Sequence, residues 1–373
     1  MIIGIDINEA NIPQRVGVNQ VAFNIFQNLV ESLGEEDRLI AFSKENPLPD
    51  MPKASKKLSY EIFGSKKAWV LTSLTKRLLF GKPKVDILFS PSHYTPLLTL
   101  TPSVIYLMDM SYERFGSEYF TNYDINQLRK WTSLSVKKAK KIVTISEFSK
   151  GEIIDKYKTN PQKIEVVYPS FNKHLFHGKV PQTKITQIKN KYGIKGKYLF
   201  FWGTLQPRKN ISKMIEAFSQ INKPQLKLVI CGKKGWLYDQ IFDLVKRRGL
   251  EEKVNFIGFA PDEDLPALIK SSIGFVLPSL YEGFGMPVIE AQAVGVPVVV
   301  SRSSSLPEVA GETAIYIENP DSVDSIKEAL LKLLALNSKQ RDKIIKDGKE
   351  NAKRFDWAIS AQKLLNILKN ARS

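Results

Sequence analysis

The chain has 373 residues, 43% hydrophobic and 10% aromatic, which is too long for one typical core, fits two α/β domains, and excludes a disordered or fibrous protein. One cysteine, Cys231, excludes a disulfide framework or a Cys-rich zinc site and agrees with a reducing compartment, and His93, His174 and His177 lack metal-ligand spacing. A formal charge of +17, with no apolar run approaching about 18 residues, predicts a protein that spans no membrane and attracts nucleotide phosphates, an anionic membrane or nucleic acid.

MIIGIDIN opens the chain as a buried strand, without the pattern of a signal peptide. A polar loop containing Gly17 and a helix over about 19–33, apolar at Val21, Phe23, Ile25, Phe26 and Leu29, complete the first unit of a doubly wound fold. No GxGxxG occurs in it, which argues against a nicotinamide or flavin dinucleotide. Residues 51–84 then carry nine basic side chains against the single acid Glu61. Within them, KKAWVLTSLTKRLLF predicts a helix with Trp69, Val70, Leu74 and Leu78 on one side. That helix either faces the core with its lysines in water or lies on an anionic lipid surface. Nucleic acid is not expected as a partner, because no RNA or DNA module accompanies the charge.

Residues 85–89 and 103–107 read as further parallel strands, ending in the loops PSHYTP and MDMSYERF. Ligands of open α/β sheets sit beyond such strand ends, so His93 and Asp109 are candidate site residues, although each alone could equally cap its loop. A helix over about 123–138 ends in Lys137, Lys138, Lys140 and Lys141, which complement its dipole. The strand KIVTI leads to Ser146, expected to cap the next helix, and the irregular stretch 169–182 reads as the linker between domains.

The second half restarts with a strand at 198–202, the loop GTLQPRKN and a helix over 211–220. Gly203 and Thr204 form a turn that a ligand can approach closely, and Arg208 with Lys209 sets two cations at its mouth, an arrangement suited to a diphosphate. Strand LKLVICG, loop KKGW, a helix over 237–248, strand VNFIGF and loop PDEDLPAL follow. Next comes LPSLYEGFGMPVIEAQAVGVPVVVS, residues 277–301, in which Gly283 and Gly285 free the backbone and Pro287 suits a first helical turn. The helix start expected at 285–287 is a seat for phosphate. Glu282 and Glu290 frame it, and carboxylates suit the vicinal diols of a sugar and a ribose. In isolation such a pair is more often a solvated loop charge and an ordinary helix glutamate; the glycines, the proline and the flanking strands reverse that reading. Helices over 322–336, 339–354 and 356–370 close the chain.

Taken together, IGIDIN with Gly17, SYERF after Asp109, SEFSK, FWGTLQPRKN, ICGKKGW, FIGF, EGFGMPVIEA with GVPVVVS, and SSLPEVAGE resemble the retaining glycosyltransferases of family 4, nearest to bacterial mannosyltransferase-like members. The resemblance implies α/β architecture of the GT-B type: two Rossmann-like, doubly wound domains facing across a cleft. It places an acceptor-side domain at 1–175 plus 356–373, with a crossing C-terminal helix, and a nucleotide-sugar domain at 176–355. It implies hexosyl transfer, without a metal or other cofactor, from GDP-mannose or a UDP-hexose to a saccharide or lipid-linked acceptor in surface polysaccharide or glycolipid synthesis. The protein would be cytoplasmic or peripheral on the membrane. By the same resemblance Glu282 holds the sugar hydroxyls and Glu290 the ribose, and Arg208 and Lys209 neutralise the departing diphosphate. The amides of Gly283, Phe284, Gly285 and Met286 bind sugar and phosphate, Gly258, Phe259 and Leu265 hold the base, Asp109 joins Glu282, Arg208 and Lys209 as a catalytic residue, and Gly17 and His93 lie on the acceptor side. Met108 stands where relatives carry histidine, and Gln206 where glutamate is common. Rival readings are a soluble disaccharide synthase and a non-catalytic sugar-nucleotide binder.

Overall fold

The computed structural model describes residues 1–64, 68–108, 110–119, 122–176, 179–235 and 238–372. Asp109, one of the candidate site residues, lies outside them, as do the first lysines of the helix expected near residue 66 and position 237. The chain divides into two units, Met1–Pro169 with Phe355–Ser373, and Ser170–Arg354.

Among the described residues, the first unit holds seven strands: β1 (Ile2–Asp6), β2 (Arg38–Ser43), β3 (Leu58–Ile62), β4 (Ile87–Ser90), β5 (Ser103–Tyr106), β6 (Lys141–Thr144) and β7 (Ile164–Val166). They are all parallel, in the order β3-β2-β1-β4-β5-β6-β7. A parallel sheet must be covered on both faces, and β4 and β5 are accordingly buried at every position. Helix Val18–Ser32 turns Val21, Ala22, Ile25, Phe26 and Leu29 inward and packs on the last helix, Trp357–Ala371. That last helix has an apolar face at Leu364, Leu365 and Leu368, and Ser360 Oγ donates to the Tyr168 carbonyl at 2.6 Å. Ser146 caps its helix as expected, accepting from the Ser149 amide at 3.0 Å.

Two findings depart from the sequence reading. Strands β2 and β3 were not anticipated: LSYEI alternates polar and apolar residues as an edge strand does, inside a segment dominated by lysines, whereas the apolar run RLIAFS of β2 was passed over. The second concerns the two alternatives for the basic segment. Its helix is a π turn, Val70–Leu74, followed by an α-helix, Thr75–Phe80. Trp69, Leu74 and Leu78 are buried against Ile40, Phe42, Val85 and Leu88, so this apolar side belongs to the core and is not available to lipid.

The second unit is a six-stranded parallel sheet in the order β10-β9-β8-β11-β12-β13. Its strands are β8 (Lys197–Trp202), β9 (Leu226–Cys231), β10 (Val254–Gly258), β11 (Gly274–Leu277), β12 (Val298–Ser301) and β13 (Ile315–Ile317). The order reverses direction between β1 and β4 in one sheet and between β8 and β11 in the other, the places where loops part and a ligand can enter. The stretch expected to be a loose linker is only partly so. Phe171 and Phe176 are buried, and the short helix Lys173–Phe176 packs on helix Met286–Val294, which draws the second unit's beginning back to Ser170.

Candidate functional site

The site is built at the switch point of the second sheet. Strand β11 leaves the core into a loop that ends at Gly285, whose φ of +98° no side-chain-bearing residue adopts readily. From there helix Met286–Val294 begins, with Pro287 in its first turn, where the missing N–H costs nothing. Three consecutive serines fix the loop. Ser303 Oγ donates to the Ser279 carbonyl at 3.0 Å, and Ser304 Oγ accepts from the Glu282 amide at 2.9 Å. Ser305 Oγ reaches the carbonyls of Glu282 and Phe284, both at 2.9 Å. The sequence reading quoted Ser304 and Ser305 within SSLPEVAGE but gave none of the three serines a part; what they do is hold the loop with Glu282 and Phe284 in place.

From the other side comes the loop after β8. Gly203 continues the pairing of its strand, its amide donating to the Cys231 carbonyl at 3.0 Å, and Leu205 donates to the Lys233 carbonyl at 2.9 Å. This needs a glycine opposite: a Cβ on Gly232 would stand 1.9 Å from the Gly203 carbonyl oxygen. Thr204 occupies the turn between them. A 3-10 turn, Pro207–Lys209, then brings both cations inward, and the Leu280 amide donates to the Arg208 carbonyl at 2.8 Å, joining the two loops.

Where the loops meet, the Lys209 ammonium lies 2.5 Å from Glu282 Oε1, and Arg208 Nη1 lies 3.0 Å from Oε2 and 3.0 Å from the Tyr281 carbonyl. Ser279 Oγ adds a hydrogen bond to Oε1 at 2.6 Å. Oriented to satisfy both groups, the Gln206 amide oxygen accepts from Arg208 Nε and Nη2 at 3.0 and 3.1 Å. Burial by itself would raise the Glu282 pKa; the charges of Lys209 and Arg208 and these hydrogen bonds outweigh it and hold the carboxyl down at about 2. Glu282 is therefore ionised at any working pH. Two cations against one carboxylate leave the cluster with net positive charge beside a helix N-terminus, an environment that favours an anion.

Glu290 is 6% exposed, one turn into the helix, and its Oε2 has no hydrogen-bond partner among the described residues. Burial, and then the charge of Asp262, push its carboxyl well above the usual carboxylate range. The unmatched oxygen is a polar atom held ready for a hydroxyl partner, because a buried polar atom left unmatched is costly unless a ligand matches it. At the end of β10, Gly258 has a φ of +70°, and Phe259 is 54% exposed with the Lys233 ammonium 4.8 Å from its ring centre. Leu265, expected to hold the base, is wholly buried in the first turn of helix Leu265–Lys270, so its side chain is not open to a ligand. Asp262, which sequence reasoning passed over, faces Glu290 electrostatically.

In the first unit the described acceptor-side candidates follow β1 and β4. Gly17, with a φ of +52°, opens helix Val18–Ser32, and His93 follows β4 with its ring edge-on to Tyr112 at 5.2 Å. Two acids at the end of β1 were missed. Asp6 accepts from the Asn8 amide at 3.0 Å and is pushed by burial to about 6, and Glu9 accepts from Asn19 Nδ2 at 2.7 Å. Their signal was the aspartate that closes the strand IIGID.

Comparison with known proteins gives this geometry a context. Residues 184–351 match the family described as glycosyl transferases group 1. The chain is 32% identical over 258 residues to the O-antigen chain mannosyltransferase B of Escherichia coli, covering 68% of this chain and 66% of that protein. It is 32% identical over 200 residues to the O-antigen chain mannosyltransferase RfbU of Salmonella typhimurium, covering 53% and 52%. The chain thus spans two thirds or less of the length of these curated relatives. In fold it is similar to Anabaena HepE, solved in complex with UDP and glucose, with a TM-score of 0.75 at 18% identity over 99% of both chains.

Proposed function

Because this chain belongs to the group 1 glycosyl transferases, family 4 with the GT-B fold, we propose that it moves a hexosyl group from a nucleoside diphosphate sugar to an acceptor hydroxyl with retention of configuration. The observation that carries this reading is the meeting of Arg208 and Lys209 with Glu282 at the start of helix Met286–Val294. A diphosphate seated there gains two cations and a helix dipole as its charge develops on departure, which is electrostatic catalysis. Glu282, kept ionised by its neighbours, accepts hydrogen bonds from sugar hydroxyls, and Glu290 offers its unmatched oxygen to the ribose diol.

The finer reading is mannosyl transfer to a saccharide or lipid-linked acceptor in surface polysaccharide or glycolipid synthesis, in the cytoplasm. The O-antigen mannosyltransferases at 32% identity support it. The first unit, with Gly17, His93 and Asp109, would take the acceptor, and 170–354 the donor. The test is nucleoside diphosphate release from GDP-, UDP- and ADP-sugars without added metal. Slow release from GDP-mannose, abolished in Glu282→Ala, is expected. Donor binding without release, with every saccharide acceptor offered, would contradict an enzyme and favour a sugar-nucleotide binder.

A further inference from the structure

One edge of the first unit's sheet is apolar and cationic, and the donor site makes no use of it. In a parallel sheet all strands start at the same edge, so the segments entering β4, β5 and β6 lie side by side there. The Leu88 amide donates to the Pro102 carbonyl at 2.9 Å and the Lys140 amide to the Ser103 carbonyl at 2.8 Å, which fixes the three entries against one another. They carry Phe80, Leu98 and Leu100, exposed by 75%, 79% and 97%, the most exposed large apolar side chains among the described residues.

A single exposed leucine is ordinary; three such side chains on adjoining segments of one edge are a surface that water disfavours. On the segments that enter β4 and β6, Lys82, Lys84, Lys137, Lys138 and Lys140 are all exposed, and the Lys84 ammonium donates to the Leu79 carbonyl. The acid before β4, Asp86, is already paired with Arg372 at 3.5 Å.

We propose that this edge docks on an anionic lipid bilayer, with Phe80, Leu98 and Leu100 entering the headgroup boundary and Lys82, Lys137 and Lys138 pairing with lipid phosphates. Apolar tips ringed by cations match that boundary in both chemistry and charge. Other occupants match less well. A second copy docked edge to edge would set these lysines against their own equivalents. Nucleic acid would call for aromatic stacking platforms, and two of the three apolar tips are leucines. The surface is separate from the buried side of the 69–80 helix, which the core has taken.

The test is co-sedimentation of the full chain with phosphatidylcholine vesicles, with and without phosphatidylglycerol. Two variants, Leu98→Ser/Leu100→Ser and Lys137→Glu/Lys138→Glu, change only exposed positions, and thermal melting should leave both folded. The wild type is expected to pellet with the anionic vesicles only. Each variant should bind them at least about tenfold more weakly, with nucleoside diphosphate release from soluble donor unchanged, so that docking and the glycosyltransferase reading stand or fall separately. A wild type that stays in the supernatant with both vesicles overturns the proposal. So does loss in the lysine variant alone, which would reduce the effect to net charge. Loss of self-association or of RNA binding in place of vesicle binding would assign the edge to those partners instead.

Discussion

Glu282 carries its charge in a place where water cannot stabilise it, and Lys209 and Arg208 do so instead. Removing one partner of a buried pair leaves the other stranded, at a cost of about 3 kcal/mol, the lower part of the usual range because Arg208 remains. Lys209→Met should therefore destabilise the chain more than Lys209→Met/Glu282→Gln does, a difference that denaturant unfolding of the two variants would measure. Equal stabilities would mean that the pair is not coupled. Glu290 poses the opposite case. Its folded pKa is raised, so the folded chain holds a proton that the unfolded chain releases, and wild-type stability falls as pH rises from the ordinary glutamate value toward the raised one. Glu290→Gln has no proton to release. Melting temperatures of the two taken across pH should converge at acid pH, with the variant pulling ahead of the wild type as pH rises. Both glutamates were legible in the sequence as a spaced pair at a helix start. Their different protonation was not, since it depends on Lys209 and Arg208, 73 and 74 positions away, for Glu282 and on burial and then Asp262 for Glu290.

The loops after β8, β9 and β11 form one unit of backbone contacts. Gly203, Thr204 and Gly285 were readable as glycine-rich turns at strand ends, and helix Met286–Val294 starts where the proline and the glycine before it require. Gly232 was not readable as essential. Its role is to leave room for the Gly203 carbonyl from the neighbouring strand, and only the pairing of β8 with β9 reveals it. Gly232→Ala would put a methyl group 1.9 Å from that oxygen, and backbone cannot yield as a side chain can. We expect a loss of about 2 kcal/mol or more and at least tenfold weaker donor binding by calorimetry. Gly249→Ala is the control: its φ of +59° is also unfavourable, but nothing stands within 4 Å of the added Cβ and the residue is far from the loops in sequence. It should cost about 1 kcal/mol and leave donor binding intact.

At the scale of the whole molecule, two doubly wound sheets were legible because parallel strands buried on both faces read as short apolar runs, each ending in a glycine or polar loop. The edges were not. Strand β3 is half polar, and the start of the second unit is set by the packing of Phe171 and Phe176, which an irregular sequence conceals. Both sheets reverse their strand order once, and we place the donor at the reversal in the second unit, with its diphosphate at the Arg208, Lys209 and Glu282 cluster. Hydrogen exchange read along the whole chain, with and without the donor that supports turnover, tests this placement. Slowed exchange is expected at the amides of 203–210 and 283–290. Protection confined to 8–19 and 90–94 in the first unit, with 203–210 and 283–290 unchanged, would contradict it.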